Sequence, residues 1–254
     1  MPTIDLNSDL AEGFGAYRCG DDDAMLNIVT SANVACGFHA GDPEIMARTF
    51  RIARERSVAV GAHPGFPDLW GFGRRRVPFS TGEIERLVAY QIGAAQALAA
   101  YAGHRITYVK THGALGNISE VDREVADAVA RAVRAVDSSL KYLAITLSEQ
   151  FRAMERAGVE PIAEIYADRG YTEKGSLIPR GQQGAMIEDP DEAAARVLNM
   201  IEAGAVITAS GARLKAPIES VCVHGDSPHA VESARRVREK LEGAGIKLAP
   251  FSKL

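Results

Sequence analysis

Short runs apolar on both faces alternate with longer stretches of helical period along the whole chain. The runs Thr3–Leu6, Ile28–Val34, Val58–Ala62, Ile106–Lys110, Leu140–Ile145, Ile162–Ala167 and Ser220–His224 predict seven strands. Two apolar faces suit parallel strands that are covered by helices outside and filled inside. Between them, Gly82–Ala102 carries a stripe of Ile84, Leu87, Val88, Ile92, Ala95, Leu98 and Ala99, and Val121–Val136 and Ala230–Leu241 repeat the pattern. Asp42-Pro43, Asp189-Pro190 and Ser227-Pro228 place a capping side chain before a helix-starting proline, and Ser80 with Glu83 fits a capping box.

Seven strand-then-helix units without a linker predict an α/β fold in one domain, residues 1–254, built as a TIM-like (β/α) barrel. A doubly wound sheet has the same periodicity. The barrel is preferred because polar residues gather after nearly every strand, not at one switch point. Pro64–Phe79 and Arg169–Glu188 are rich in Gly, Pro and Arg and read as loops over the mouth.

Composition narrows the class. The 254 residues are 46% hydrophobic and 24% charged, which excludes a disordered chain. A net charge of −4 offers no footprint for nucleic acid or an anionic membrane. Cys19, Cys36 and Cys222 form no CxxC pair, the N-terminus lacks a signal pattern, and no apolar run reaches the roughly 20 residues of a membrane span. A cytoplasmic enzyme is expected, with Cys36 and Cys222 as core thiols.

The strand ends and following loops collect the candidate chemistry. After the first strand come Asp5, Asn7, Asp9 and Glu12; after the second, Asn33 and His39. The third ends in His63, the fourth in Lys110 and His112, the sixth in Glu164 and Asp168, the seventh in His224 and Asp226. The fifth contributes only Thr146-Leu147-Ser148, while His104 and His229 fall outside this set. Asp9, His39, His63, His112, Glu164 and His224 could ligate a divalent cation, or a carboxylate beside a His could move protons. Lys110 suits a substrate carboxylate, an oxyanion or a buried ion pair. Arg74, in Gly71-Phe72-Gly73-Arg74-Arg75-Arg76, and Arg180 are candidate anion clamps. The helix starts after His39 and His224 offer backbone N–H groups to an anion. The polar face of Gly82–Ala102, with Tyr90 and Gln91, reads as solvated. No GxxxxGK[ST], GxGxxG or GxSxG pattern is present, so no P-loop, Rossmann site or serine-esterase elbow is supported.

Several of these segments resemble the LamB/YcsF family. They are Asp5-Leu6-Asn7-Ser8-Asp9-Leu10-Ala11-Glu12-Gly13, Ser31 to Pro43 with Cys36-Gly37-Phe38-His39-Ala40-Gly41-Asp42, Gly61-Ala62-His63-Pro64-Gly65, Gly71-Phe72-Gly73-Arg74-Arg75, Lys110-Thr111-His112-Gly113-Ala114-Leu115, Glu164 to Arg169, Pro179-Arg180, and Cys222-Val223-His224-Gly225-Asp226-Ser227-Pro228. Thr111 and Gly116 stand where the family usually has Pro and Tyr, and Ala11 where Gly is common.

The resemblance implies a distorted seven-stranded barrel similar to carbohydrate-deacetylase-like barrels. It also implies ATP-dependent opening of the 5-oxoproline lactam to L-glutamate with separate B and C subunits, the ATP site being on those subunits or shared with them. On that reading Asp9, His63, Lys110, His112 and Glu164 are catalytic, and Asn7, Asn33, His39, Arg74, Asp168, Arg180, His224 and Asp226 bind substrate. Two other readings compete: a stand-alone metal-dependent deacetylase or amidohydrolase, and a non-catalytic partner of such an enzyme.

Overall fold

The computed structural model describes residues 3–226 and 229–252. In chain order the elements are β1 (Thr3–Leu10), α1 (Asp22–Met25), β2 (Ser31–Ala35), α2 (Pro43–Glu55), β3 (Ala59–His63), α3 (Thr81–Tyr101), β4 (Ile106–Val109), α4 (Gly113–Val121), α5 (Arg123–Val136) and β5 (Lys141–Ile145). There follow α6 (Glu149–Ala157), β6 (Pro161–Tyr166), α7 (Pro190–Ala203), β7 (Ala205–Ile207), β8 (Arg213–Lys215), β9 (Ser220–Cys222), α8 (Ala230–Gly243) and β10 (Lys247–Leu248).

Strands β1 to β6 pair in sequence order, all parallel, and β9 pairs with both β6 and β1 to close a seven-stranded ring. The ring is uneven. Its closing strand is three residues long, and the β3–β4 register slips between Val60 and Gly61. Strand β1 changes neighbours along its length: Thr3 and Ile4 pair with β10, and Asp5 to Asn7 with β9.

Helices start where the caps place them. Asp42 accepts from the backbone N–H groups of Glu44 and Ile45, Asp189 from Glu192, and Ser80 and Glu83 form the reciprocal capping box. Ser227 and Pro228 lie outside the described residues. The stretch read as one helix from Val121 is divided: α4 ends there and Asp122 caps α5. Outward strand residues such as Leu6, Ala32, Val34, Val60, Val109 and Val221 share a buried apolar core with Phe50, Ile92, Val129 and Val237 of the helices. Among the described residues no helix is long and apolar enough to cross a membrane.

The first strand departs from expectation in an instructive way. It runs on past Leu6 to Leu10, so Asn7 and Asp9 belong to the strand with Asp5 and not to a loop after it. Asn7 reaches Glu164 across the barrel, and Asp5 accepts from Ser31 and Ser220 on two other strands, so this set points inward. The period-2 alternation is that of a strand whose inner face is polar. Gln91 is also corrected: it is buried, and its side chain clamps both backbone groups of Gly65. The β7–β8 hairpin and β10 are additions to the expected elements, being too short to carry a periodic signal.

Two outcomes test this interior. A Cβ at Gly61 would lie 2.7 Å from Cζ of the Tyr108 ring, so Gly61→Ala should lower unfolding free energy by about 1–3 kcal/mol in urea titration. Burial pushes the Asp5 carboxyl up from 3.8 to about 6 against its hydroxyl donors Ser220, Ser31 and Thr30. The neutral form is therefore favoured, and stability present below pH 4 is lost as pH rises through 6. The stability of Asp5→Asn relative to the parent should rise by up to roughly 3 kcal/mol across that window, and a flat difference would refute the burial account.

Candidate active site and its cation

Lys110 follows β4 directly, its N–H donating to Ala62 O at 3.0 Å, which holds it on the barrel wall. Its ammonium lies 3.0 Å from Glu164 Oε1, 3.1 Å from Asp9 Oδ1, 3.0 Å from Cys222 Sγ and 3.4 Å from Asn7 Oδ1. The centre of the Tyr166 ring is 5.0 Å from it. Asn33 donates to both Asp9 and Asn7 and accepts from Tyr108, while Asn7 donates to Glu164 and Ser220. These amides fix the carboxylates from beneath.

One ammonium between two buried carboxylates splits their behaviour. Burial opposes ionisation of Asp9, yet the charges of His63 and Lys110 hold it well below its ordinary value. For Glu164 burial prevails over Lys110 and pushes the carboxyl up, and its Oε2 is buried with no protein partner. The Lys110 ammonium is driven well up by Asp9 despite burial, and burial pushes the Cys222 thiol well up. Asp9 is therefore the more readily ionised of the two.

His224 leaves β9 toward the same cavity. Its Nδ1 sits 2.7 and 2.9 Å from the two oxygens of Asp168, and its ring stacks on Tyr166. Burial would lower the imidazole, but the Asp168 charge raises it, and Asp168 is lowered in turn against its own burial. With Nδ1 engaged, Nε2 is left for the cavity that His224 lines.

A second cluster adjoins Asp9. Glu12 Oε1 lies 3.2 Å from His39 Nε2 and 3.2 Å from His112 Nδ1, and His112 Nδ1 lies 3.1 Å from His63 Nε2. The His39 and His112 rings stack at 3.6 Å. Burial pushes His39 down to about 3; Glu12 is held below the carboxylate range by His112 and His39 in spite of burial. Phe72 packs edge-on against both stacked rings, and it does so with a left-handed φ of 54°. Gly73 is required beside it, since a Cβ there would lie 2.6 Å from His39 Cβ.

The cavity over these groups measures about 650 Å³. Arg74, at its mouth, is ion-paired to Asp226 at 2.6 Å, and Arg180 is the other rim guanidinium. Arg169 is buried and donates to Ala185 O and Ile178 O, so it braces the loop after β6. The far wall carries Asn117, Gln150, Thr172 and Glu120, whose carboxyl burial pushes up to about 7.

The structure thus brings the sequence-derived set to one end of the barrel. Asp9, His63, Arg74, Lys110, His112, Glu164, Arg180 and His224 line the cavity. Asn7 and Asn33 lie beneath it, His39 behind His112, Asp168 behind His224, and Asp226 against Arg74. Sequence reasoning places Glu12 near a strand end without giving it a role, and does not select Tyr166, Cys222 or Glu120. Alternation from Asp5 along β1 would have placed Asp9 on the inner face, and alternation from Glu164 along β6 would have placed Tyr166 there; Glu120, late in a helix, carried no signal. The α2 start is not an open anion site, because Asp42 already occupies its N–H groups and accepts from Gly15. Instead α4 begins beside the cavity at Gly113 with no side-chain cap. Gly116 is held close to its turn: a Cβ there would sit 2.9 Å from Thr111 O.

Comparison with known proteins agrees with this geometry. The sequence profile of the LamB/YcsF family matches residues 4–254. The 5-oxoprolinase A subunit of Azorhizobium caulinodans is 67% identical over 252 residues, covering 99% of this chain and 100% of that protein. The lactam utilization protein of Thermus thermophilus superposes with a TM-score of 0.92 at 41% identity, over 98% of this chain and 100% of that one. The catalytic domain of a peptidoglycan N-acetylglucosamine deacetylase from Eubacterium rectale shares the barrel at a TM-score of 0.54 and 8% identity, over 99% and 89% of the two chains, a likeness of fold alone. A profile match from one end to the other, with a relative of that identity over full length, makes this chain a member of the LamB/YcsF family.

Proposed function

We propose that the chain is the A subunit of a cytoplasmic, ATP-dependent 5-oxoprolinase, a single barrel domain that opens the lactam of 5-oxo-L-proline to L-glutamate with B and C subunits. The observation that carries the chemistry is a carboxylate, Asp9, paired to Lys110, and an imidazole, His224, paired to Asp168, both lining one cavity. The substrate comes from the relatives named as 5-oxoprolinase A subunits.

A lactam amide is a poor electrophile, and its nitrogen leaves only when protonated. Asp9 takes the proton of the attacking water, and His224 Nε2 gives a proton to the lactam nitrogen as the ring C–N bond breaks. Asp168 keeps that ring oriented. Lys110 holds Asp9 ionised and in place, and Glu164 shares the ammonium. His63 and His112 wall the water's side, with His39 behind them. Arg74 and Arg180 at the mouth take the substrate carboxylate, with Asp226 positioning Arg74. Asn7 and Asn33 keep the carboxylates in register. ATP phosphorylates the carbonyl oxygen with release of ADP, so water attack and ring opening leave an acyl phosphate of glutamate that a second water cleaves to glutamate and inorganic phosphate; with no P-loop pattern in this chain, nucleotide binding is assigned to the partner subunits or shared with them.

The buried Glu12–His39–His63–His112 cluster favours a second reading, a self-sufficient metal-dependent amidohydrolase. Reconstitution with B and C subunits separates the two, with glutamate and ADP followed together. ATP-dependent glutamate, absent without the partners, is expected; glutamate from this chain alone without ATP would overturn the first reading. Asp9→Asn and His224→Gln should each lower kcat by roughly 10²–10⁴-fold while the complex still assembles. Full activity in both, and in Lys110→Met, would leave the chain a non-catalytic partner.

The proton donor also fixes a pH limb. A raised His224 stays protonated to above pH 6.5 and loses its proton as pH climbs further, so kcat should fall on the alkaline side. Asp168→Asn removes the charge that raises it and should move that limb to lower pH in a kcat–pH profile.

A further inference from the structure

We infer that the loop carrying Trp70 is where the nucleotide-holding partner subunit docks, over the cavity mouth; the identity of that partner rests on the lactamase assignment. Trp70 is the single tryptophan of the chain and is 98% exposed. A lone exposed Leu is ordinary on a protein surface, whereas an indole carries a large apolar area that interfaces bury. It is not alone here. Of the eight exposed large apolar side chains among the described residues, five belong to one side of the mouth. Phe14 and Tyr17 follow β1, Leu69 and Trp70 follow β3, and Tyr90 on α3 stacks on Phe38 from the loop after β2.

The turn holding Trp70 is braced on both sides. Asp68 Oδ1 accepts from the Gly71 N–H at 3.0 Å, and Asp68 Oδ2 accepts from Arg75 Nε at 3.0 Å. The Phe72 N–H donates to Leu69 O at 3.3 Å and the Gly73 N–H to Asp68 O at 2.9 Å. A turn so tied holds the indole away from the barrel. An anchor already in place loses little conformational entropy when a partner closes on it.

The same loop forms part of the mouth. Gly73 O accepts from the Ala114 N–H at 2.9 Å, the Phe72 ring meets His39 and His112, and Arg74 lines the cavity. Whatever seats on Trp70 therefore stands next along the chain to the Arg74 rim. The phosphoryl group must enter through that mouth, and this chain has no P-loop pattern to carry it. The subunit that brings it has to close over the opening these aromatic loops border. Arg76, exposed and without an ion-pair partner among the described residues, adds a free positive charge. The complementary surface is an apolar pocket for the indole with an acidic rim. Trp, Tyr and Arg are the residues that dominate such contacts.

One tryptophan gives one signal, so docking can be read apart from turnover. The whole chain, labelled with fluorotryptophan, is mixed with unlabelled B and C subunits, and its fluorine resonance is followed beside ATP-dependent glutamate formation. A shifted or broadened resonance is expected. Trp70→Ala should raise the partner concentration for half-maximal glutamate formation roughly 30-fold or more, with kcat at saturation and circular dichroism unchanged. Tyr101→Ala, exposed at the opposite end of α3, should leave both unchanged. Glutamate formed with an unmoved resonance, or with no effect of Trp70→Ala, overturns the docking surface and leaves the lactamase assignment standing. A resonance shifted by the partners without glutamate does the reverse, and neither shift nor glutamate removes both. A shift produced by raising the concentration of this chain alone makes the occupant a second copy and overturns the proposal.

Discussion

A single ammonium, that of Lys110, neutralises the polar interior on which this barrel is built. Most side chains drawn inward by β1 are acidic or amide groups, and Glu164 adds a second carboxylate from across the ring. Buried carboxylates without a partner cost several kcal/mol each. Lys110 holds Asp9 and Glu164 at nearly equal distances, and the amides of Asn7 and Asn33 carry the constraint on to Ser220 and Tyr108. The cavity floor is positioned around that charge, while the difference between the two acids comes from burial at Glu164 and from His63 beside Asp9.

Three of the four described non-glycine residues with left-handed φ lie at the same end, the fourth being Ser57 before β3. Ala11 after β1, Phe72 in the loop after β3 and Leu147 after β5 all adopt left-handed φ angles without being glycine. Each costs on the order of 1–2 kcal/mol. At Phe72 the return is visible: the turn aims the carbonyl at His112 and the ring at His39. At Ala11 a glycine would hold the same turn without the strain, and the N–H it presents is tied to Asp22.

Much of this is legible in the chain itself. Strand–helix alternation, proline-led caps and the two loops over the mouth follow from local chemistry, and those signals act within a few residues. The site is legible as a set of residues but not as a geometry. That His39, His63 and His112 meet Glu12, whereas His224 pairs with Asp168 instead, depends on which strands neighbour one another around a closed ring. Asn7 and Asp9 read as loop because strand recognition leans on apolar residues, and an inward polar face breaks that rule. Gln91 misleads for the related reason that a helix residue can be polar in order to hold a loop's backbone.

The closing strand has a consequence for the order in which the molecule is made. Strand β9 joins β1 to β6 through three residues, some 215 positions along the chain from the Asp5 they pair with. Contacts so distant in sequence carry the greatest loop-closure entropy and are slow to form. Asp9, Glu164 and Cys222 lie on the three strands that meet at that seam, and His224 follows just beyond the last of them. A growing or partly folded chain can hold most of its helices and still lack the floor of the cavity. The pair of Asp9 and His224 is complete only once β9 has joined β1 and β6.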